Sequence, residues 1–296
     1  MPTAVSLETD FLFVAHPGHE LCVHGWLEQV RPTVFVLTDG SGRSGQSRIN
    51  STTKVLTNAG AKTGSIYARL SDPEIYRAIL DHNFDVFLGL TEEFAQALAR
   101  HEALSVAGDA IEGFNPAHDV CRLIINAAVD IVRDRQARLI VNKEFLLVGR
   151  HDSYPDELRP DATWLQLSDE AFQRKLKMAR GFDELKLEID AALDGDLQVL
   201  RRHPELSTNL MIEHNSTGIE AYRIECLRPA QGSFASLKQF HNRRPFYEEY
   251  GERGVTQGNY ERVIRFHEHI LPIAESLEDF AGRAKRGECR AKATTN

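Results

Sequence analysis

Two segments far apart in the chain carry residues able to do chemistry. The first, Ala15-His16-Pro17-Gly18-His19-Glu20, puts two imidazoles and a carboxylate close together. The second, Asp109-Ala-Ile-Glu112-Gly-Phe-Asn115-Pro-Ala-His118-Asp119, adds a third imidazole, three acids and an amide. Neutral imidazoles in an open three-ligand set suit Zn²⁺, leaving a position for a water whose pKa the metal lowers toward ~7. His16, His19 and His118 are therefore the candidate metal ligands, with another divalent ion as the alternative cofactor, and the chemistry is metal-assisted hydrolysis. Glu20, Asp39, Asp109 and Glu112 are candidate general bases, or carboxylates that orient an imidazole. Asn115 can donate a hydrogen bond to an oxyanion. His24, His82, His101, His151, His203, His214, His241, His267 and His269 are read as surface or hydrogen-bonded residues.

Positioning these groups requires strands that stop where the chemistry starts. Phe11 to Ala15 is an apolar run closed by Pro17-Gly18, a short buried strand whose end delivers His16. Glu20-Leu21 opens a helical pattern with Leu21, Leu27 and Val30 on one face, and Thr33 to Leu37 is a second, β-branched strand. Strand, helix, strand with short connections predicts a βαβ unit and a parallel sheet, in which ligands bind beyond the strand ends. Leu104 to Asp109 is a third strand, and Val120 to Arg135 a long helix with a wide apolar face. The spacing also predicts helices over Arg48 to Asn58, from Asp72 as N-cap with Pro73 next, and over Glu92 to Glu102. Phe84 to Leu90 reads equally as strand or helix. Short strands are expected at Ser65 to Tyr67, Arg138 to Val141, Phe145 to Val148 and Ala221 to Leu227, with a polar loop from His151 to Asp161. Helix is expected from Ser168 to about His203 and again within Pro245 to Arg283, before a loose tail from Lys285.

At 296 residues with 42% hydrophobic content, the chain can bury a sizeable core. The predicted fold is α/β, a Rossmann-like, mostly parallel sheet flanked by helices. Residues 1–230 form the α/β domain, and residues 231–296 a helical C-terminal appendage and tail, packed over the pocket or against a second copy. A formal net charge of −8 argues against nucleic acid or an anionic membrane as partner. No apolar run approaches the ~20 residues that span a bilayer, and the first residues lack the pattern of a signal peptide. Cys22, Cys121, Cys226 and Cys289 form no CxxC pair, which fits reduced thiols in a cytoplasm. Gly40 to Gly45 is glycine-rich but matches no phosphate-binding motif, so a nucleotide-dependent transferase has little to rest on.

The segment Ala15-His16-Pro17-Gly18-His19-Glu20 resembles the AHPDDE signature of the PIG-L/LmbE-like family of zinc-dependent de-N-acetylases. Thr38-Asp39-Gly40 is similar to that family's TDG segment, and Asn115-Pro116-Ala117-His118 falls where it has HPDH before a long helix. Trp164-Leu-Gln-Leu-Ser-Asp-Glu with Lys175 and Ala179, and then Glu220-Ala221-Tyr222-Arg223, resemble its later landmarks. The resemblance runs in order from about Phe11 to Leu227. It implies that His16 is the first zinc ligand and His118 the last, that His19 replaces an aspartate ligand, and that Glu20 supports the turn. It also implies altered catalysis. Gly18 stands in place of the family's general base, Asn115 in place of the histidine that polarises the carbonyl, and Ala117 in place of the aspartate of HPDH.

The expected activity is hydrolysis of the amide of an N-acylated amino sugar or related small molecule, with a different base. The alternative is a non-catalytic carbohydrate- or metal-binding protein on the same fold.

Overall fold

The structure is a computed structural model that describes residues 10–42, 45–148, 160–186, 189 and 218–285. Most of the predicted polar loop, the helical stretch beyond 189, part of the glycine-rich loop and the tail lie outside the described residues.

Strand β1 (Asp10–Val14) is wholly apolar after its first residue because both of its faces are covered. Phe11, Phe13 and Ala15 point into one core layer, and Leu12 and Val14 into the other. A 3₁₀ turn (His19–Val23) and α1 (His24–Val30) lead to β2 (Thr33–Thr38), which lies parallel to β1 with Phe13 opposite Phe35. Helix α2 (Ile49–Ala59), β3 (Lys62–Leu70), α3 (Asp72–Leu80), α4 (Phe84–Arg100), β4 (Ser105–Asp109), α5 (Pro116–Gln136) and β5 (Val141–Phe145) follow. Then come β6 (Thr163–Gln166), α6 (Asp169–Arg180), β7 (Ile224–Pro229), α7 (Ser233–Leu237), α8 (Phe246–Thr256) and α9 (Leu271–Lys285).

The seven strands make one sheet in the order β3-β2-β1-β4-β5-β7-β6. β1 to β5 are mutually parallel, whereas β7 runs antiparallel to both of its neighbours. The chain steps outward from β1 to β3, then returns to the other side of β1 as β4. That reversal opens a crevice above the carboxyl ends of β1 and β4. Helices α1, α2 and α6 cover one face; α3, α4, α5 and α9 cover the other.

Some local expectations change. Phe84 to Leu90 is helical and continuous with Glu92 onward, because Phe87, Leu90, Phe94 and Leu98 fall on one buried face at helical spacing. The piece at Ser65 to Tyr67 is the middle of the nine-residue β3. The two short strands expected around residue 143 are one strand, β5, centred between them and paired with β4 from Ser105–Val141 to Asp109–Phe145. Gly218–Arg223 is a 3₁₀ segment, and β7 begins only at Ile224. Ser71, not Asp72, caps α3: its hydroxyl and Glu74 form a reciprocal capping box. The Asp72 side chain is thereby released for another task.

Candidate functional site

His16 and His19 leave the end of β1, and His118 lies in the first turn of α5, just after β4. The β1–β4 pairing therefore brings the two segments together. The ring centroids are 5.3 Å apart for His16 and His19, 5.0 Å for His16 and His118, and 4.5 Å for His19 and His118, with steep interplanar angles. Two of the three rings are backed by buried carboxylates. His16 Nδ1 lies 2.7 Å from the Thr38 hydroxyl and 3.1 Å from Asp72 Oδ1. His19 Nδ1 lies 2.9 Å from Asp109 Oδ2, which also accepts the Ala15 N–H at 2.7 Å.

Burial pushes the His16 imidazole below its ordinary pKa despite the Asp72 charge beside it. His118 is driven further down, first by burial and then by the charges of His19, His16 and Arg48. For Asp72, burial acts upward, but the His16 charge together with hydrogen bonds from His16, Thr38 and the Gly42 N–H holds its carboxyl well below the usual range. An ionised Asp72 keeps the hydrogen of His16 on Nδ1. Nε2 is left as a bare acceptor, buried and without a hydrogen-bond partner among the described residues. That orphaned atom and the carboxylate-backed rings are the donor chemistry a divalent metal takes. As they stand, however, no three or more His, Cys, Asp or Glu side chains among the described residues meet the geometry of a metal-holding group.

The other candidates have structural partners. Glu20 is fully buried, accepts the Gly18 N–H at 2.8 Å and so closes the turn. Burial pushes its carboxyl up to about 7 against the hydroxyl of Thr52 and the Gly18 amide. Asp39 accepts the N–H of Ser41 at 2.9 Å, and Asp72 accepts that of Gly42 at 2.7 Å. Those two amides of the glycine-rich loop are thus turned toward carboxylates, the opposite of a phosphate cradle. Glu112 accepts the N–H groups of Leu147 and Val148, and burial pushes it up to about 8. Asn115 caps α5 by accepting the Ala117 N–H at 2.8 Å, while its amide donates to the Tyr76 hydroxyl at 3.0 Å. Of the four acids named from sequence, Asp109 is the one that bonds a histidine of the cluster.

Sequence reasoning missed Asp72 and Thr38 as partners of His16. The usable signal was a second acid directly after a parallel strand: β3 ends at Leu70, and Asp72 follows it as Asp39 follows β2. It also missed what fills the space at Gly18. The backbone there has φ of +106°, and a Cβ would lie 3.0 Å from Leu185 Cδ1 and 3.7 Å from Phe182 Cε1. Any side chain at position 18 would strain this backbone and require the tip of Leu185 to give way slightly.

No family model matches the sequence, and no curated protein matches it. Solved structures that are similar in part include two deacetylases. The A40926 pseudoaglycone deacetylase Dbv21 is 18% identical, with a TM-score of 0.47 over 76% of this chain and 98% of that one. The zinc-inhibited form of teicoplanin deacetylase Orf2 is 12% identical, with a TM-score of 0.46 over 75% of this chain and 98% of that one.

Away from the crevice, the Lys175–Glu225 pair fixes the frame. Nζ sits 2.9 Å from Oε1, both side chains are nearly inaccessible, and Glu225 also accepts the N–H groups of Gly25 and Trp26 at the start of α1. Lys175 of α6 therefore holds β7 against the element that follows the His16 turn.

Proposed function

We propose that this chain is a metal-dependent hydrolase that cleaves the amide of an N-acylated amino sugar or a related small molecule. The observation that carries the reading is the convergence of His16, His19 and His118 from two distant segments, two of them backed by Asp72 and Asp109. His16, through its orphaned Nε2, and the two other imidazoles would hold Zn²⁺ or another divalent ion. Such an ion supplies Lewis acidity and an acidified water when bound.

The chain's own groups do the rest. Asp72 and Asp109 hold two imidazoles in one tautomer and one orientation. Burial of His16 and His118 keeps their rings neutral near pH 7 and thus competent as ligands. With no carboxylate at position 18, proton handling falls to the acids that remain, Glu20, Asp39, Asp109 and Glu112.

The substrate class comes from the resemblance of the motifs, in which His16 and His118 keep their places. A second reading, a binding protein without turnover, is favoured by the glycine at position 18, whose φ of +106° and contact with Leu185 strain any side chain there.

The deciding experiment measures metal by plasma mass spectrometry on protein purified without a histidine tag, beside His16→Ala and His118→Ala. About one zinc per chain, lost in both variants, supports the site. Acetate release from N-acetylated amino sugars then separates enzyme from binding protein. Failure to load metal after reconstitution would sink the metal-site reading.

A further inference from the structure

A polar stripe interrupts the apolar surface of α5. His118, Arg122 and Asn126 follow one another at four-residue spacing, so they share one side of the helix, and all three are buried. Arg122 is wholly inaccessible, although a guanidinium is among the costliest groups to take out of water. The three bonds it makes among the described residues all go to neutral oxygens. Nε donates to the Asp109 carbonyl at 2.5 Å, Nη1 to the Asn142 amide oxygen at 3.0 Å and Nη2 to the Lys143 carbonyl at 3.1 Å. Burial lowers its pKa, opposed by the charges of Glu144, Cys121 and Asp109.

The guanidinium fork joins three elements at one point. Asp109 closes β4, and its carboxylate is the group that bonds His19. Asn142 and Lys143 belong to β5, and Arg122 stands one helical turn beyond His118. Gly108 makes the room: a Cβ there would fall 2.4 Å from the Phe13 carbonyl oxygen, 2.6 Å from Ile125 Cδ1 and 3.0 Å from Arg122 Nη2. Asn142 Nδ2 in turn donates to Asn126 Oδ1 at 2.8 Å, so the next residue of the stripe braces an acceptor that the fork uses.

From this we infer that Arg122 is a positioning residue: it sets the spacing between His118 on its own helix and the Asp109–His19 pair at the end of β4. The His19 and His118 ring centroids stand 4.5 Å apart. Apolar packing holds α5 on the sheet but, being non-directional, does not fix its register against β4. Directed bonds from one planar guanidinium to the end of β4 and to β5 do fix it, and a flexible ammonium would not. The spacing rests on these bonds; that it serves a metal rests on the proposed hydrolase reading.

The test compares wild type with Arg122→Lys, which keeps the charge and loses the fork, with Asn142→Ala, which removes one acceptor, and with Ile131→Ala. The last deletes buried apolar volume farther along the same helix and controls for general destabilisation. One readout needs no metal: the nuclear Overhauser contact between the ring protons of His19 and His118 in histidine-labelled protein. The other is Zn²⁺ affinity by competition with a chelating dye. Wild type and Ile131→Ala should share the ring contact and the affinity. Arg122→Lys should lose the contact and bind Zn²⁺ about tenfold more weakly, the low end of the effect of losing a group behind a metal ligand. Asn142→Ala should move both readouts the same way by less, and it decides if Arg122→Lys does not fold. Unchanged readouts in the deciding variant, an equal loss in Ile131→Ala, or no ring contact in wild type overturns the inference. The ring contact decides if the two readouts disagree or if wild type takes up no Zn²⁺, and the latter result ends the hydrolase reading by itself.

Discussion

Asp72 Oδ1 lies 3.1 Å from His16 Nδ1, and the Thr38 hydroxyl bridges the two, 2.7 Å from the imidazole and 2.5 Å from the carboxylate. The three residues follow or end three adjacent parallel strands, β1, β2 and β3. Sheet order alone therefore lines them up across the crevice.

If the pair orients His16 toward a metal, Asp72→Asn lowers metal affinity by about 10- to 100-fold, the usual effect of losing such a partner. Competition with a chelating dye reads this directly. Unchanged affinity in a folded variant would show that Asp72 does not orient a metal ligand.

Gly18→Asp restores the acid of the related motif but not its role. The residue must adopt φ of +106° and push Leu185 aside, a strain of about 1–3 kcal/mol. The expected result is a lower urea midpoint with no gain in acetate release. A rise in turnover at unchanged stability would show that the space is available after all.

Lys175→Met leaves the buried Glu225 carboxylate without its cation, at a cost of about 3–5 kcal/mol. The double variant Lys175→Met, Glu225→Gln should recover part of the loss, since Gln can still accept one N–H of α1. A double-mutant cycle by denaturant titration gives the coupling, and simple additivity would contradict the contact.

Burial pushes the Glu112 carboxyl up to about 8, against 4.5 ordinarily. A raised carboxyl favours the protonated form on folding, so its contribution is complete below about pH 4.5 and is lost as pH rises through 8. Wild type should therefore lose more melting temperature between pH 5 and pH 8.5 than Glu112→Gln, by roughly a few degrees. The slope will shrink without vanishing, because Glu20 and Asp119, both pushed up to about 7, titrate in the same window. Identical slopes would mean that Glu112 is solvated.

Sequence reached the architecture because burial on both faces writes itself into residue choice. Phe11 to Ala15 and Thr33 to Leu37 read as strands since both faces must be apolar, and α5 read as a helix from its apolar stripe. His16, His19 and His118 were legible for the same reason: each stands where an apolar segment stops or a buried helix begins. The sequence could not place Phe84 to Leu90, because a run with apolar residues on every side carries no period to tell strand from helix.

What lay beyond it was decided by packing between distant segments. Asp72 reads as a helix cap until β3 is laid beside β2, and the tight contact at Gly18 comes from Leu185, which local sequence does not connect to it. Phe246 stacks on Phe114 where the glycine at position 113 leaves room for Phe240 and Pro245. The chain alone determined which residues could do chemistry and which elements carry them; the tertiary structure decided their partners, since hydrogen bonds and steric closure depend on ångström distances between parts of the chain that sequence leaves unrelated.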